Sequence, residues 1–244
     1  MFEISRSHKN NASTIARAAS ASFGALVDAV RIAFLISPLI LSLPHSARAA
    51  EADIVTEYVD TVEVEAPVPT AQQGIGRFGP FTVIDGATAE LNGITDQATP
   101  RQFAEMMRQH PTLKLIRMVE CAGTENDEAN LAVARAIHHA GLSTHVPANG
   151  SVRSGGVELF LAGIRRSYDR GAEFGVHSWI DDQGNQARDI AADDPVNLAY
   201  INYYQDVGLP PATAKAFYAF TNQSDFNNIH YMTEPELNRF GLVN

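Results

Sequence analysis

From residue 81 onward, short apolar runs alternate with segments whose apolar side chains recur every three or four positions, the two spacings of strands and helices. Residues 81–84 and 89–94 read as strands on either side of a turn at Asp85-Gly86. Thr99-Pro100 is expected to cap a helix with proline at its first position, Phe103, Met106 and Met107 on one face, and Pro111 as its stop. Residues 113–119 are almost continuously apolar, as in a strand covered on both faces. The spacing then predicts a helix over 126–140, with Leu131, Ala134, Ile137 and Ala140 on one side and Gly141 at its end. A strand at 144–146, a turn at 147–150, a helix over 157–161 that begins near Ser154, and a strand at 174–176 ending at His177 complete the series. Segments of this size in this order imply crossover connections, an α/β class and a largely parallel sheet. The carboxyl third differs: 195–204 and 211–220 are helical and rich in Tyr and Phe, and Thr233-Glu234-Pro235-Glu236 forms a capping box for a last short helix.

The segments before residue 80 follow neither spacing. Residues 1–49 read as a signal peptide: Arg6, Lys9, Arg17 and Arg31 make a basic leader, an apolar run spans 32–43, Pro44 stops it, and Ala47-Arg48-Ala49 offers small residues to a signal peptidase. The run is too short for the roughly 20 residues that cross a bilayer, so no transmembrane span is expected after cleavage. The leader before Arg31 is long enough to suggest a start codon downstream of Met1. Residues 50–79 are acidic and punctuated by proline, a flexible arm in which Ile54, Tyr58, Val62 and Val64 could form a strand only against a partner. The globular domain is expected over 80–244.

Charge narrows the partners. Five of the 18 basic and two of the 28 acidic side chains lie in 1–49, which leaves 13 against 26 and a formal charge of −13 on the rest. Such a surface repels nucleic acid and anionic lipid. Cys121 is the one cysteine, placed as a small buried hydrophobe, so no internal disulfide is available. His138 and His139 are adjacent on a helix and point apart, and no metal or other cofactor is expected.

The residues with the most chemistry to offer are Ser154 and His177. A serine hydroxyl becomes nucleophilic when an imidazole takes its proton, and a serine at a helix start has the backbone N–H of Gly155 beside it to hold an oxyanion. Serine is also among the commonest helix caps, so Ser154 has a purely structural alternative, and Ser151 is a second candidate nucleophile. His177 could equally be a satisfied histidine at a strand end.

The order of elements from residue 81 to 244 resembles the Clp-type protease and crotonase superfamily, in particular exported Clp-like serine hydrolases of bacteria. The resemblance rests on residues 113–119 with Cys121-Ala122-Gly123-Thr124, on 131–137, on 141–163, on Gly175-Val176-His177, and on 232–237 with Gly241-Leu242-Val243. It implies a ClpP/crotonase-like fold of repeated β-β-α units, Ser154 as nucleophile and His177 as base. It also implies an oxyanion site from the backbone of Gly123, Thr124 and Gly155, an orienting residue at Asp225 or Asn228, a peptide or protein substrate, and self-association into a homo-oligomer. The chain departs from the family pattern in three places. Val152 and Gly156 stand where relatives flank the serine with cysteines, Thr124 and the acidic Glu125 follow Gly123 in the oxyanion turn, and Asn227-Asn228 follow Asp225.

Two readings follow from different classes. One is an exported serine hydrolase of the bacterial periplasm, a peptidase without an ATPase partner; the other is a catalytically silent relative that uses the sheet as a binding or assembly module. Acyl-coenzyme A chemistry of the crotonase kind is disfavoured by the export signal.

Overall fold

The computed structural model describes residues 73–244. The expected signal peptide and nearly all of the acidic arm lie outside the described residues.

Among the described residues, one nine-stranded sheet carries the domain. Its strands are β1 (Gly76–Phe78), β2 (Phe81–Val83), β3 (Thr88–Asn92), β4 (Leu115–Cys121), β5 (Ser143–Val146), β6 (Ser151–Arg153), β7 (Arg166–Tyr168), β8 (Glu173–Val176) and β9 (His230–Tyr231). The order along the main path is β1-β2-β3-β4-β6-β8-β9, and β5 and β7 branch off beside β4. The five pairs from β3 to β8 and out to β7 are parallel, and antiparallel pairing is confined to β1-β2, β2-β3 and β8-β9 at the two edges. The expected α/β class with a largely parallel sheet is therefore what the chain forms. β4 forks: Leu115–Arg117 pair with β5, while Glu120 and Cys121 pair with β6.

Six α-helices among the described residues accompany the sheet: α1 (Thr99–Gln109), α2 (Asp127–His139), α3 (Gly155–Leu161), α4 (Pro195–Asp206), α5 (Pro211–Thr221) and α6 (Glu234–Arg239). α2 packs on α1, α3 and α4, and α4 packs on α5. Phe81, Leu91, Met106, Ile116, Met118, Ile137, Phe160 and Phe174 are fully buried between these layers, each side chain contributing about 1.5–3 kcal/mol by leaving water. Cys121 lies in the same core, and burial pushes its thiol up, as suits an inert hydrophobe. Among the described residues no helix is long and apolar enough to cross a membrane.

Helix ends show where the sequence pattern was close and where it slipped. Thr99 lies inside α1 instead of capping it. Asp96 does that work, accepting from the N–H groups of Ala98 and Thr99 at 2.9 and 3.0 Å and from the Thr99 hydroxyl. Asn126 caps α2 from outside, its Oδ1 accepting from Ala129 N–H at 2.8 Å, and Ala140, expected on the buried side, is exposed beyond the last turn. The capping box at Thr233 and Glu236 forms as expected. β1, β6, β7 and β9 are only two or three residues long, too short for a period of two to register.

Arg166 on β7 closes the fold from the back. Its guanidinium is buried, and it donates to the carbonyls of Leu242, Leu161, Gly163 and Gly241. It thereby ties the chain end to the last turn of α3, where a cation also suits the helix dipole.

Candidate active site

Three adjacent parallel strands deliver the chemistry to one place. β4 pairs with β6 through Cys121↔Val152, and β6 pairs with β8 through Val152↔Phe174 and Arg153↔Gly175. Gly123 lies just past the end of β4, Ser154 just past β6 and His177 just past β8. Neighbouring strands run about 4.8 Å apart, so residues that leave the same end of three of them share a site. Ligands of parallel sheets gather at this carboxyl end for the same reason.

Ser154 turns the chain from β6 into α3 with φ 51° and ψ −130°. A non-glycine residue there stores about 1–3 kcal/mol of strain, which the surroundings must hold in place. Its N–H donates to the Gly175 carbonyl at 2.9 Å, anchoring it to the strand that carries His177. Although Ser154 occupies the N-cap position of α3, its side chain makes no capping hydrogen bond. The hydroxyl is not consumed by the structural role that serine so often plays there.

The residues expected around an oxyanion surround this serine. Gly123 has φ +130°, and a Cβ on it would stand 3.0 Å from Ser154 Cβ. A Cβ on Gly155 would meet Thr124 and Asn130 at 2.8 Å, so only glycine lets α3 start so close to the turn after β4. Asn130 holds that approach from α2, accepting from the Thr95 hydroxyl at 2.8 Å and donating to the Gly155 carbonyl at 2.9 Å. The Thr124 hydroxyl is engaged with the backbone of Thr95 and Asn126. Glu125, the acid beside the turn, is exposed and lines a separate depression with Asp96, Gln97 and Arg101. The first N–H groups of α3 have no partner within the helix and point toward this end of the sheet.

Ser154, Gly155 and His177 line one narrow cavity of about 30 Å³, room for one or two waters. The half-buried His177 ring presents Nδ1 to the Ser178 carbonyl at 2.8 Å. A carbonyl only accepts, so Nδ1 carries the proton and Nε2 carries the lone pair, the tautomer a general base needs. Phe226 packs edge-on against the imidazole, with ring centroids 5.1 Å apart. Among the described residues no direct hydrogen bond joins Ser154 Oγ to the imidazole.

Among the described residues neither the Asp225 nor the Asn228 side chain bonds the imidazole. The Asp225 carboxylate pairs with Arg188, both side chains being more than half exposed. Asn228 is exposed, and its N–H donates to the Asp225 carbonyl at 2.8 Å. That tight turn carries Phe226, not a carboxylate, onto His177.

The rest of the cavity wall includes Trp179, Tyr200, Tyr204 and Tyr218, aromatic residues the sequence suggested as packing, and Asp127, Glu158 and Asn222, which it did not single out. Glu158 is buried on α3, one turn after Ser154. Its carboxylate accepts from the Tyr204 hydroxyl at 2.6 Å, and the Tyr203 hydroxyl donates to its backbone carbonyl. Burial pushes Glu158 up to about 7, with the Tyr204 bond opposing that rise and the charge of Asp127 adding to it. Trp179 Nε1 donates to Tyr218 Oη at 2.8 Å, and Tyr218 in turn donates to Asn197. Burial pushes the Tyr218 phenol up to about 12. A lone carboxylate in the otherwise apolar Gly155–Leu161 helix was the legible signal for Glu158. Asp127 had none, since an acid in the first turn of a helix is ordinary.

No family model matches the sequence, and no curated protein matches it. Solved structures similar to this chain include a serine-to-alanine mutant of the 1510-N membrane-bound stomatin-specific protease, at TM-score 0.44 and 15% identity over 65% of this chain and 76% of that one. A lysine-to-alanine mutant of the same protease in complex with a substrate peptide gives TM-score 0.41 and 14% identity over 65% and 74%. ClpP1 from Listeria monocytogenes, as an asparagine-to-aspartate mutant, gives TM-score 0.44 and 15% identity over 65% and 90%. A stomatin-specific protease and a ClpP1 are among the structures this chain resembles, and its chemistry has to be read from its own residues.

Proposed function

We propose that this protein is an exported serine hydrolase, a peptidase, in which Ser154 and His177 transfer an acyl group to water. The supporting observation is the state of Ser154: strained, uncapped, and open to a cavity that it shares with an imidazole whose Nδ1 proton is already held. Ser154 Oγ attacks the carbonyl carbon as its proton passes to His177 Nε2, and the tetrahedral oxygen is held by Gly155 N–H and the Gly123–Thr124 backbone. Collapse expels the amine, which takes the proton from His177, and leaves an acyl-serine. Water then attacks the ester, giving its proton to His177 in the same way, and the carboxylic acid departs with Ser154 restored. The cavity they share has room for one or two waters, and contacts between nucleophile and base commonly tighten only around substrate. The basic leader, apolar run and Ala47-Arg48-Ala49 support export to a bacterial periplasm.

A fluorophosphonate probe tests the reading, because it reacts only with an activated serine. The full chain should label, and Ser154→Ala should lose labelling entirely while keeping its circular dichroism spectrum. A folded wild type that stays unlabelled would favour the silent binding module, the reading consistent with the missing direct bond between Ser154 and His177.

A further inference from the structure

We infer that Asp127, from the first turn of α2, is the positioning residue whose carboxylate balances the positive charge that His177 acquires during acyl transfer. This rests on the hydrolase reading above and names a residue that the loop after α5 does not supply. The Ser178 carbonyl fixes the tautomer of His177 but brings no net charge to offset an imidazolium. The groups that face the cavity with His177 are Asp127 from α2, Glu158 from α3, Tyr200 and Tyr204 from α4, and Tyr218 from α5. No Lys or Arg is among them, and the two acids are the groups there that could carry a negative charge.

Their surroundings separate them. Glu158 is enclosed and committed to Tyr204, and burial favours its neutral form. Asp127 stands at the rim, exposed to solvent, in the first turn of a thirteen-residue helix whose N-terminal dipole favours an anion. Desolvation raises its carboxyl, and the Tyr200 hydroxyl and His177 both pull it back down. Asp127 and His177 line the same small cavity, and the imidazole acts on the carboxyl through its charge, with no ion pair between them among the described residues. Tyr200 stacks on Tyr218, centroids 5.7 Å apart, and Tyr218 is itself held by Trp179 and Asn197, so the group beside Asp127 is fixed. The aromatic carboxyl third thus acts on the site by keeping one carboxylate in place.

The test compares fluorophosphonate labelling rates of the wild type, Asp127→Asn and Asp127→Glu across pH 5–9, with His177 carbethoxylation by diethyl pyrocarbonate followed by mass spectrometry. Asp127→Asn should label about tenfold more slowly at its plateau, with the acid limb of the profile displaced downward by about half to one pH unit. His177 should become reactive to diethyl pyrocarbonate at correspondingly lower pH. Asp127→Glu should restore most of both readouts. The difference from wild type should shrink at 1 M salt, where the screening length is about 3 Å. A uniform loss of rate with an unmoved acid limb would make Asp127 merely structural and overturn the inference. So would an unchanged carbethoxylation profile. If the wild type fails to label while the carbethoxylation shift is present, the hydrolase reading falls and the Asp127–His177 pairing stands.

Discussion

Arg166 and Glu158 are two buried ionisable side chains beside the same short helix, and the fold treats them differently. Arg166 meets four backbone carbonyls around the last turn of α3 and the chain end. Desolvation lowers its guanidinium from the ordinary value, yet arginine stays charged under any condition in which the protein folds. Glu158 meets phenols near the first turn of α3, beside the cavity, and burial leaves its proton poised near neutrality. A charge that cannot change state suits a clamp. One that can change state belongs where a protein does chemistry or senses its surroundings.

Breaking the clamp should have the largest effect. Arg166→Met keeps the aliphatic bulk but leaves buried carbonyls without donors, a loss of roughly 3 kcal/mol. Urea unfolding should show it as a lower midpoint at unchanged slope. If the midpoint stays put, water or the chain end satisfies those carbonyls and the contrast with Glu158 fails.

The Glu158 side of the comparison is sharpened by pH. Its folded value, about 7, lies above the ordinary 4.5, so the unfolded chain ionises first and gains stability relative to the fold as pH rises. This contribution is fully present below about 4.5 and is lost as pH climbs through 7, by roughly 3 kcal/mol in all. Glu158→Gln should flatten that slope, matching the wild type at pH 4.5 and exceeding it at pH 8 in thermal unfolding. Equal pH dependence in the two proteins would place the slope elsewhere.

The smallest effect is expected at an exposed pair. Asp225→Ala removes the partner of Arg188, a bond between side chains that water already solvates, so stability should move by less than about 0.5 kcal/mol. Fluorophosphonate labelling should not change. A loss of labelling would favour Asp225 as the group acting on His177 and count against the role proposed for Asp127.

The element types were largely legible. The apolar runs became β2, β4 and β8, and the three- and four-residue spacing became α1, α2 and α5, because one-sided burial writes itself into the sequence as a period. The placement of Ser154 before a helix and His177 after a strand was legible for the same reason. The surroundings of His177 were not: the family resemblance points to Asp225, but one tight turn sets Phe226 against the imidazole.

By itself the sequence determined the class of fold, the acidic composition, and the positions of Ser154 before a helix and His177 after a strand, because periodicity, charge and residue type are local properties of the chain. Only the tertiary structure decided that β4, β6 and β8 lie side by side and that α2 and α4 bring Asp127 and Tyr200 to the same opening. Pairing order and helix packing are settled by contacts between residues far apart in the chain, and no window of neighbouring residues contains them.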